Sequence, residues 1–306
     1  MASFIKDGQV NGNITINIPA RSNQDRGKYW NVNDSQIFVV ADGHGLNGEK
    51  FADLVISYLD SVVSERKINF IEDDLTETIN QLFNQINENA KLTYGSLYGG
   101  STVSLLIIRN KRDFWVANAG DSSIALVDKQ KSTLEIITED HGPNNIKEAE
   151  RIYADFPDTI FEYDRIRKYE PVIPLYRKTD DGLIKIHPPS EGYPNYYLKN
   201  RQGEHATYVG FDKTHKLALT RGIGDFLFQE RMGLTSNPFI QKHSPLSPDQ
   251  ILICASDGFW DCWTHDEIVE FVMTKELSSL EGEHINKSNQ CFGSNKDDTL
   301  IHLITG

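Results

Sequence analysis

The chain lacks three features that would point to common classes of protein: a long hydrophobic run, a paired set of cysteines and a positive net charge. No stretch of about 18 apolar residues occurs, so we expect no transmembrane helix. The three cysteines form no CxxC pair, which argues against a disulfide framework and a zinc site. A formal net charge of -13 argues against binding to nucleic acid or to a membrane surface.

The first residues also lack the features of a targeting sequence. Residues 1–6 contain no basic region followed by a long apolar stretch, so we expect no signal peptide. Ala2 stands where N-myristoylation requires Gly. The odd number of cysteines fits a reducing compartment, so we expect a cytoplasmic or nuclear protein.

What the chain does contain is four short acidic segments, spread from one end to the other. They are Asn23-Gln24-Asp25, Asp42-Gly43-His44-Gly45, Ser256-Asp257-Gly258-Phe259-Trp260-Asp261 and Asp297-Asp298-Thr299. Two of them follow apolar runs, residues 37–41 and 251–255, that are typical of buried strands. A buried carboxylate is costly unless a cation meets it, and several converging carboxylates repel one another unless they share metal ions. The sequence therefore predicts a metal site with carboxylate walls.

The pattern of apolar residues favours a mixed fold with long runs of strands. It predicts helices over residues 48–65, 73–95, 145–154 and 265–275. It predicts strands over residues 13–20, 36–41, 101–109, 113–118, 122–127, 133–138, 216–220, 250–256 and 298–304, with a hairpin turn at 110–112. Because strict alternation of strand and helix is absent, we expect an α+β layout in which two packed sheets are covered by helices, rather than a doubly wound nucleotide fold.

Residues 155–212 break this regular pattern. Proline and tyrosine are frequent there and the periodicity is mixed. Since the aromatic side chains can pack, the segment indicates an irregular insertion or a small subdomain rather than disorder. We expect one domain over residues 1–306 that carries this insertion.

Six stretches, in this order along the chain, resemble the metal-dependent protein phosphatases of the protein phosphatase 2C family. They are Asp42-Gly43-His44-Gly45, Gly99-Gly100-Ser101-Thr102, Gly120-Asp121-Ser122, Thr220-Arg221-Gly222-Ile223-Gly224-Asp225, Ser256-Asp257-Gly258-Phe259-Trp260-Asp261 and Asp297-Asp298-Thr299. The resemblance implies a four-layer αββα sandwich of two antiparallel sheets flanked by helices. It also implies two bound Mn²⁺ or Mg²⁺ ions, a monomer, and phosphoprotein substrates. The insertion would then be an enlarged form of the family's flap, where we expect it to influence substrate choice.

The resemblance implies a set of metal ligands at matching positions. Asp42 would lie between two ions, the carbonyl of Gly43 would bind one of them, and Asp257 and Asp297 would complete the set. Because the family's threonine falls one position early here, Asp298 is the alternative to Asp297. Oxygen ligands of this kind suit Mg²⁺ or Mn²⁺ better than zinc.

A third, weaker ion is also part of what the resemblance implies. Asp140 and Asp261 would bind it together with Asp257. Asp140 could instead be an ordinary turn residue, and Asp257 could be the N-cap of a helix over residues 258–263.

Near the N-terminus, the resemblance implies that Asp25 is held near the metals through water and that Arg21 binds the substrate phosphate. A bidentate guanidinium suits two phosphoryl oxygens. Arg21 lies one residue closer to Asp25 than the family's usual spacing, so Lys6 and Arg26 are alternatives.

The resemblance gives His44 the catalytic acid–base role. It would protonate the leaving serine, threonine or tyrosine oxygen, which is otherwise a poor leaving group near neutral pH. A histidine beside a metal site could instead orient a ligand, here Asp42. We expect Asp121 and Asp225 to be structural turn residues.

These features together predict a protein serine/threonine phosphatase that uses direct attack by a metal-bridging hydroxide. The alternative is a pseudophosphatase that keeps the fold and binds phosphoproteins or a regulator with weak or no turnover. An aspartyl-phosphate enzyme is disfavoured because Asp73-Asp74-Leu75-Thr76 lacks the Asp-x-Asp-x-Thr spacing. A cysteine-based phosphatase is disfavoured because no cysteine is followed by an arginine about five residues later.

Overall fold

A computed structural model describes residues 13–20, 23–65, 74–109, 113–165, 172–186 and 197–306 of the chain. Within these residues the strands are β1 (Ile14–Ile18), β2 (Asp25–Val32), β3 (Ser35–His44), β4 (Gly100–Ser101), β5 (Val103–Arg109), β6 (Phe114–Ala119), β7 (Ser123–Asp128), β8 (Thr133–Ile136), β9 (Ile160–Tyr163), β10 (Tyr176–Thr179), β11 (Gly182–Lys185), β12 (Thr207–Gly210), β13 (Lys216–Leu217), β14 (Ile223–Gly224), β15 (Phe239–His243), β16 (Gln250–Ala255) and β17 (Thr299–Thr305). The α-helices are α1 (Gly48–Ser64), α2 (Thr76–Tyr94), α3 (Ile146–Asp155), α4 (Phe226–Met232), α5 (Asp257–Trp260), α6 (His265–Thr274) and α7 (Leu280–Phe292).

Most of the strands belong to two antiparallel sheets. A seven-stranded sheet has the order β14-β4-β3-β5-β6-β15, with β2 paired to β3 as well. A five-stranded sheet has the order β1-β17-β16-β7-β8. Strands β5 and β6 pair with each other, so the predicted hairpin is present, although its turn at 110–112 lies outside the described residues.

The two sheets pack face to face and helices cover both outer faces. Phe38 and Val40 of β3 lie in the buried cluster between the sheets with Leu252 and Cys254 of β16. On its other face β3 packs against α1 and α2, and β16 packs against α6. A strand that is buried on both faces has no polar side, which explains the continuous apolar runs in the sequence. The predicted α+β sandwich is therefore confirmed.

The insertion contributes small sheets of its own rather than only irregular chain. Strand β12 pairs with β9 and β13, and β10 forms a hairpin with β11. A separate buried cluster joins Phe161, Leu175 and Val209 of this region to Ile152 of α3 and Met232 of α4. Apart from β13, which falls within the predicted strand 216–220, these strands were not predicted, because the sequence there has no regular apolar pattern.

Several other elements were also missed. Helix α7 buries only Leu280, His284 and Ser288, so its inward face is mostly polar although its spacing is helical. Strand β2 carries several polar residues and partly exposed side chains along its length. The predicted strand over 216–220 is only β13, which is two residues long. Among the described helices, none combines the length and the apolar character that crossing a bilayer would require.

Candidate active site

The ends of β2 and β3 bring two of the predicted acids together. Asp25 begins β2 and stands directly opposite Asp42 in the antiparallel register with β3. Asp25 is buried and accepts a 2.6 Å hydrogen bond from the hydroxyl of Ser256. The backbone N–H of Asp42 donates to Thr102 Oγ1, and its carbonyl accepts from the N–H of Thr102. The Gly-Ser-Thr stretch therefore fixes the end of β3 that carries Asp42.

Asp257 reaches the same place from the other sheet. It is the first residue of α5, directly after β16, and Ser256 is the N-cap. The interpretation of Asp257 as an N-cap is therefore wrong. A Cβ on Gly258 would overlap the backbone oxygen of Asp298, so this glycine lets α5 lie against the chain just before β17.

Asp297 and Asp298 have different surroundings. Asp298 accepts hydrogen bonds from the backbone N–H groups of Ala20, at 2.6 Å, and Gln24, at 3.0 Å. Asp297 is more exposed and its charge raises the pKa values of Asp42 and Asp257. Asp298 thus holds Ala20 and Gln24, while the charge of Asp297 acts on the other two acids.

These carboxylates strongly disfavour one another's charged forms. Burial, followed by the charges of neighbouring aspartates, raises the pKa values of Asp25 and Asp257 to about 7. Burial and the charges of Asp25 and Asp257 raise the pKa of Asp42 well above its ordinary value. Closely spaced carboxyl groups behave in this way when only a shared proton or a cation can offset their repulsion.

The donor set suits hard divalent cations. Its side-chain donors are carboxylate oxygens, and oxygen donors are the ligands that Mg²⁺ and Mn²⁺ prefer. Gly43 follows Asp42 in β3, and a Cβ at this position would overlap the backbone of Gly48. In the described part of the chain no group of three or more His, Cys, Asp or Glu side chains is arranged to hold an ion as it stands. Asp42 instead faces Asp25 across β2 and β3 and interacts with the charge of Asp257.

His44 forms a close pair with Asp225, which the sequence had suggested only as a turn residue. The Nε2 atom of His44 lies 2.5 Å from Oδ2 of Asp225. Burial works against the charged ring, but the charge and hydrogen bond of Asp225 outweigh it and raise the pKa of His44. Asp225 has a left-handed backbone (φ 49°) at the start of α4, which is uncommon outside glycine. This arrangement stabilises a protonated imidazole beside the acidic cluster.

The candidates for phosphate binding are only partly described. Arg21 and Lys6 lie outside the described residues. Arg26 contacts Asp53 of α1 through Nε, at 2.5 Å, and donates to the backbone oxygens of Asn23 and Asp25. Because Arg26 is already engaged in these contacts, it is a poor substitute for Arg21.

A second acidic group lines a cavity of about 160 Å³ next to this cluster. Its acidic residues are Asp121, Asp140, Glu204, Asp257 and Asp261. Lys199, from the insertion, enters the group and its Nζ lies 3.1 Å from Oδ2 of Asp121. The predicted residues Asp140 and Asp261 are therefore neighbours of Asp257. Sequence reasoning missed Lys199 and assigned Asp121 only a structural role.

In this second group the charge of Lys199 opposes the effect of burial on the pKa values of Asp121 and Asp140. Burial opposes ionisation of Asp121, but Lys199 outweighs it and holds the pKa of Asp121 below its ordinary value. Desolvation by surrounding atoms and the charge of Asp121 raise the pKa of Asp140 to about 6, although Lys199 opposes this. Asp140 lies at the exposed rim and accepts from the N–H of Gly142, so the turn interpretation also holds for it.

A sequence profile of the family described as "Protein phosphatase 2C" matches residues 19–288, which is most of the chain. The chain belongs to the protein phosphatase 2C family. It is 26% identical over 253 residues to "Probable protein phosphatase 2C 72" of Arabidopsis thaliana, covering 79% of this chain and 66% of that protein. It is 26% identical over 288 residues to "Protein phosphatase 2C homolog 2" of Aspergillus fumigatus, covering 88% of this chain and 54% of that protein. The chain thus spans about half to two-thirds of the length of these relatives.

Solved structures agree with this assignment at the level of the fold. The serine-threonine phosphatase 2C from Toxoplasma gondii aligns with a TM-score of 0.61 and 17% identity, covering 96% of this chain and 94% of that one. The family motifs that meet in this protein phosphatase 2C chain are carried by strand ends and tight turns. That is why motifs hundreds of residues apart lie in one site.

Proposed function

We propose that the chain is a metal-dependent protein serine/threonine phosphatase that hydrolyses phosphomonoesters on proteins. The observation that supports this most is the meeting of Asp25, Asp42, Asp257 and Asp297 beside the pair formed by His44 and Asp225. These acids come from separate segments of the chain, and a bound cation would offset their mutual repulsion. Family membership supports the same activity.

Two Mn²⁺ or Mg²⁺ ions, when bound, would supply a hydrolytic water of lowered pKa and would offset the charge of the phosphoryl oxygens. Asp42 faces Asp25 across β2 and β3 and interacts with the charge of Asp257, so we assign it to both ions. Asp257 and Asp297 would hold one side of the centre, with Asp298 as the alternative to Asp297. The Gly43 carbonyl would serve the other side, with Asp25 acting through water.

His44 would act as the general acid. Asp225 stabilises the protonated ring through Nε2, while Nδ1 is buried and has no hydrogen-bond partner among the described residues. The charged form of the ring is the one that could protonate the leaving serine or threonine oxygen. An alkoxide leaves poorly near neutral pH, so this proton is needed for turnover.

Arg21 would bind the phosphoryl oxygens. Its neighbour Ala20 and the nearby Gln24 both donate backbone hydrogen bonds to Asp298. Asp298 would thus hold Ala20 and Gln24 beside the acidic cluster. The family resemblance also supports phosphoprotein substrates and a monomer, which we expect in the cytoplasm or nucleus.

The test is turnover of a phosphoserine or phosphothreonine peptide by the full chain with Mn²⁺, with Mg²⁺ and with a chelator. We expect activity only with metal, and loss of activity in Asp42→Asn but not in Asp266→Asn, which changes an exposed acid on α6. Activity that survives chelation would contradict the mechanism. Two bound ions without turnover would identify a pseudophosphatase instead.

A further inference from the structure

Lys199 carries a positive charge from the insertion into the acidic cavity. Its side chain is 25% exposed and its ammonium contacts Asp121. The charges of four aspartates act on this ammonium, and together they outweigh the cost of burying it. The four aspartates line one cavity together with Lys199, and we call them the carboxylate pocket: Asp121, Asp140, Asp257 and Asp261.

Backbone hydrogen bonds hold the chain around Lys199 against the pocket. In the loop over residues 197–206, the N–H of Lys199 donates to the carbonyl of Glu204, and the N–H of Ala206 donates to that of Tyr197. At its tip, the N–H of Arg201 donates to the carbonyl of Asp261, at 3.1 Å. These hydrogen bonds fix the backbone that carries Lys199 next to Asp261.

Arg201 adds a second attachment to the same part of the site. Its Nη1 atom lies 2.5 Å from Oε2 of Glu267 and also donates to the carbonyl of Cys262. The loop is thus held on the segment between α5 and α6, directly after Asp261. This leaves Lys199 little freedom to withdraw from the pocket.

An ammonium and a divalent ion would compete for the same carboxylate oxygens. The ammonium offsets part of the repulsion among the acids, and a cation that replaced it would have to displace a fixed salt bridge. We propose that Lys199 is a built-in cation of the carboxylate pocket, and that it keeps a third divalent ion out while holding the insertion against the metal centre. This rests on the proposed function, because Asp257 would also bind the two-ion centre.

The test is the number and affinity of Mn²⁺ ions bound by the full chain, measured by calorimetry and by equilibrium dialysis with Mn²⁺ alone. We expect two ions in the wild type, and a third site that is about 10-fold or more tighter in Lys199→Gln than in the wild type. Lys199→Arg should keep two ions because it keeps the charge. Lys213→Gln removes the same charge at an exposed turn and should behave as the wild type. A wild type that binds a third ion as tightly as Lys199→Gln would overturn the proposal.

Thermal unfolding in chelator gives a second measurement that needs neither turnover nor bound metal. Lys199→Gln should melt at a lower temperature than the wild type and Lys213→Gln, because the carboxylates lose their positive partner. An unchanged melting temperature in Lys199→Gln would show that the ammonium does not neutralise the pocket. If the wild type neither binds Mn²⁺ nor hydrolyses phosphopeptide, the proposed function fails, while this comparison still decides the role of Lys199.

Discussion

Oδ2 of Asp225 lies 2.5 Å from Nε2 of His44, although the two residues are 181 positions apart in the chain. His44 ends β3, and Asp225 follows β14; both strands pair with β4. The antiparallel pairing with a single short strand thus brings the acid to the histidine. Because Asp225 raises the pKa of His44, it favours the ring form that can donate a proton.

Replacing Asp225 with Asn should change the pH dependence of turnover as well as its rate. A general acid must be protonated, so activity falls as the pH rises through its pKa. Asp225→Asn removes the charge that raises the pKa of His44, so the falling limb of kcat/KM should move to lower pH. We expect kcat on a phosphoserine peptide to fall about 10-fold to 100-fold.

The leaving group provides the control for this experiment. An aryl phosphate has a leaving oxygen that needs little protonation, so its hydrolysis should lose much less activity in Asp225→Asn and in His44→Asn. Equal losses on both substrates, with an unmoved alkaline limb, would show that the pair acts only by supporting the fold.

A substitution at Gly100, in the neighbouring strand β4, would disturb the pair formed by His44 and Asp225. A Cβ at this position would overlap Asp225 Oδ2 and would lie 2.9 Å from His44 Nε2 and 2.7 Å from the carbonyl of Ile223. Gly100→Ala should therefore lower the stability by about 1–3 kcal/mol and reduce turnover of alkyl phosphates. Urea unfolding and phosphopeptide assays would measure the two effects.

The matched control is Gly282→Ala in α7, where an added Cβ meets nothing within 4 Å. Alanine has the higher helix propensity, so this change should raise the stability by about 0.5–1 kcal/mol and leave turnover unchanged. A Gly100→Ala protein with normal stability and activity would show that β4 can shift to accommodate the methyl group.

The central strands and the acids that follow them could be predicted from the sequence. Residues 37–41 and 251–255 are apolar without alternation because both faces of β3 and β16 are buried. An acid directly after such a run stands out, which identified Asp42 and Asp257. The sandwich followed from the same pattern and from the resemblance.

The partners of these acids could not be predicted in the same way. Asp225, Asp121 and Lys199 have their roles because of pairings between distant strands and loops, and no local spacing encodes them. Lys199 lies in a segment without clear periodicity, so its sequence context gave no signal. The ligand assignments and the role of Arg21 stay predictions.

The buried network around Glu148 predicts a specific acid sensitivity. Its carboxylate lies 2.6 Å from Arg221 and 2.9 Å from Arg151, and it accepts from the hydroxyl of Thr220. Burial opposes its ionisation, but the two arginines outweigh this and lower the pKa of Glu148 from 4.5 to about 2. A lowered pKa in the folded state contributes stability above the unfolded pKa, and that stability is lost as the pH falls from 4.5 towards 2.

Glu148→Gln should therefore lower the free energy of unfolding by roughly 3 kcal/mol at pH 7, and by less at pH 3. Denaturant unfolding at both pH values would measure the difference. Glu150→Gln changes an exposed acid on the same helix and should have little effect at either pH. A cost that does not depend on pH would mean that lost packing, rather than the paired charge, explains it.

The substitution Asp257→Asn should have opposite effects on the melting temperature with and without metal. Its pKa is raised to about 7, mainly by burial and then by neighbouring acids. The folded protein therefore holds a proton that the unfolded chain has released between about pH 4 and pH 7, and stability falls as the pH rises through this range. In chelator at pH 8, Asp257→Asn should raise the melting temperature by a few degrees, because it removes one repelled charge.

With excess Mn²⁺ the wild type should have the higher melting temperature, since it gains binding energy that Asp257→Asn cannot gain. Scanning both proteins at pH 8 in chelator and in Mn²⁺ would measure this, with Asp266→Asn as a control that changes an exposed acid on α6. In chelator at pH 5.5 the advantage of Asp257→Asn should shrink, because the wild-type carboxyl is then largely protonated. If Mn²⁺ stabilised both proteins equally, Asp257 would not be a ligand, and the divalent centre would have to be assigned to other residues.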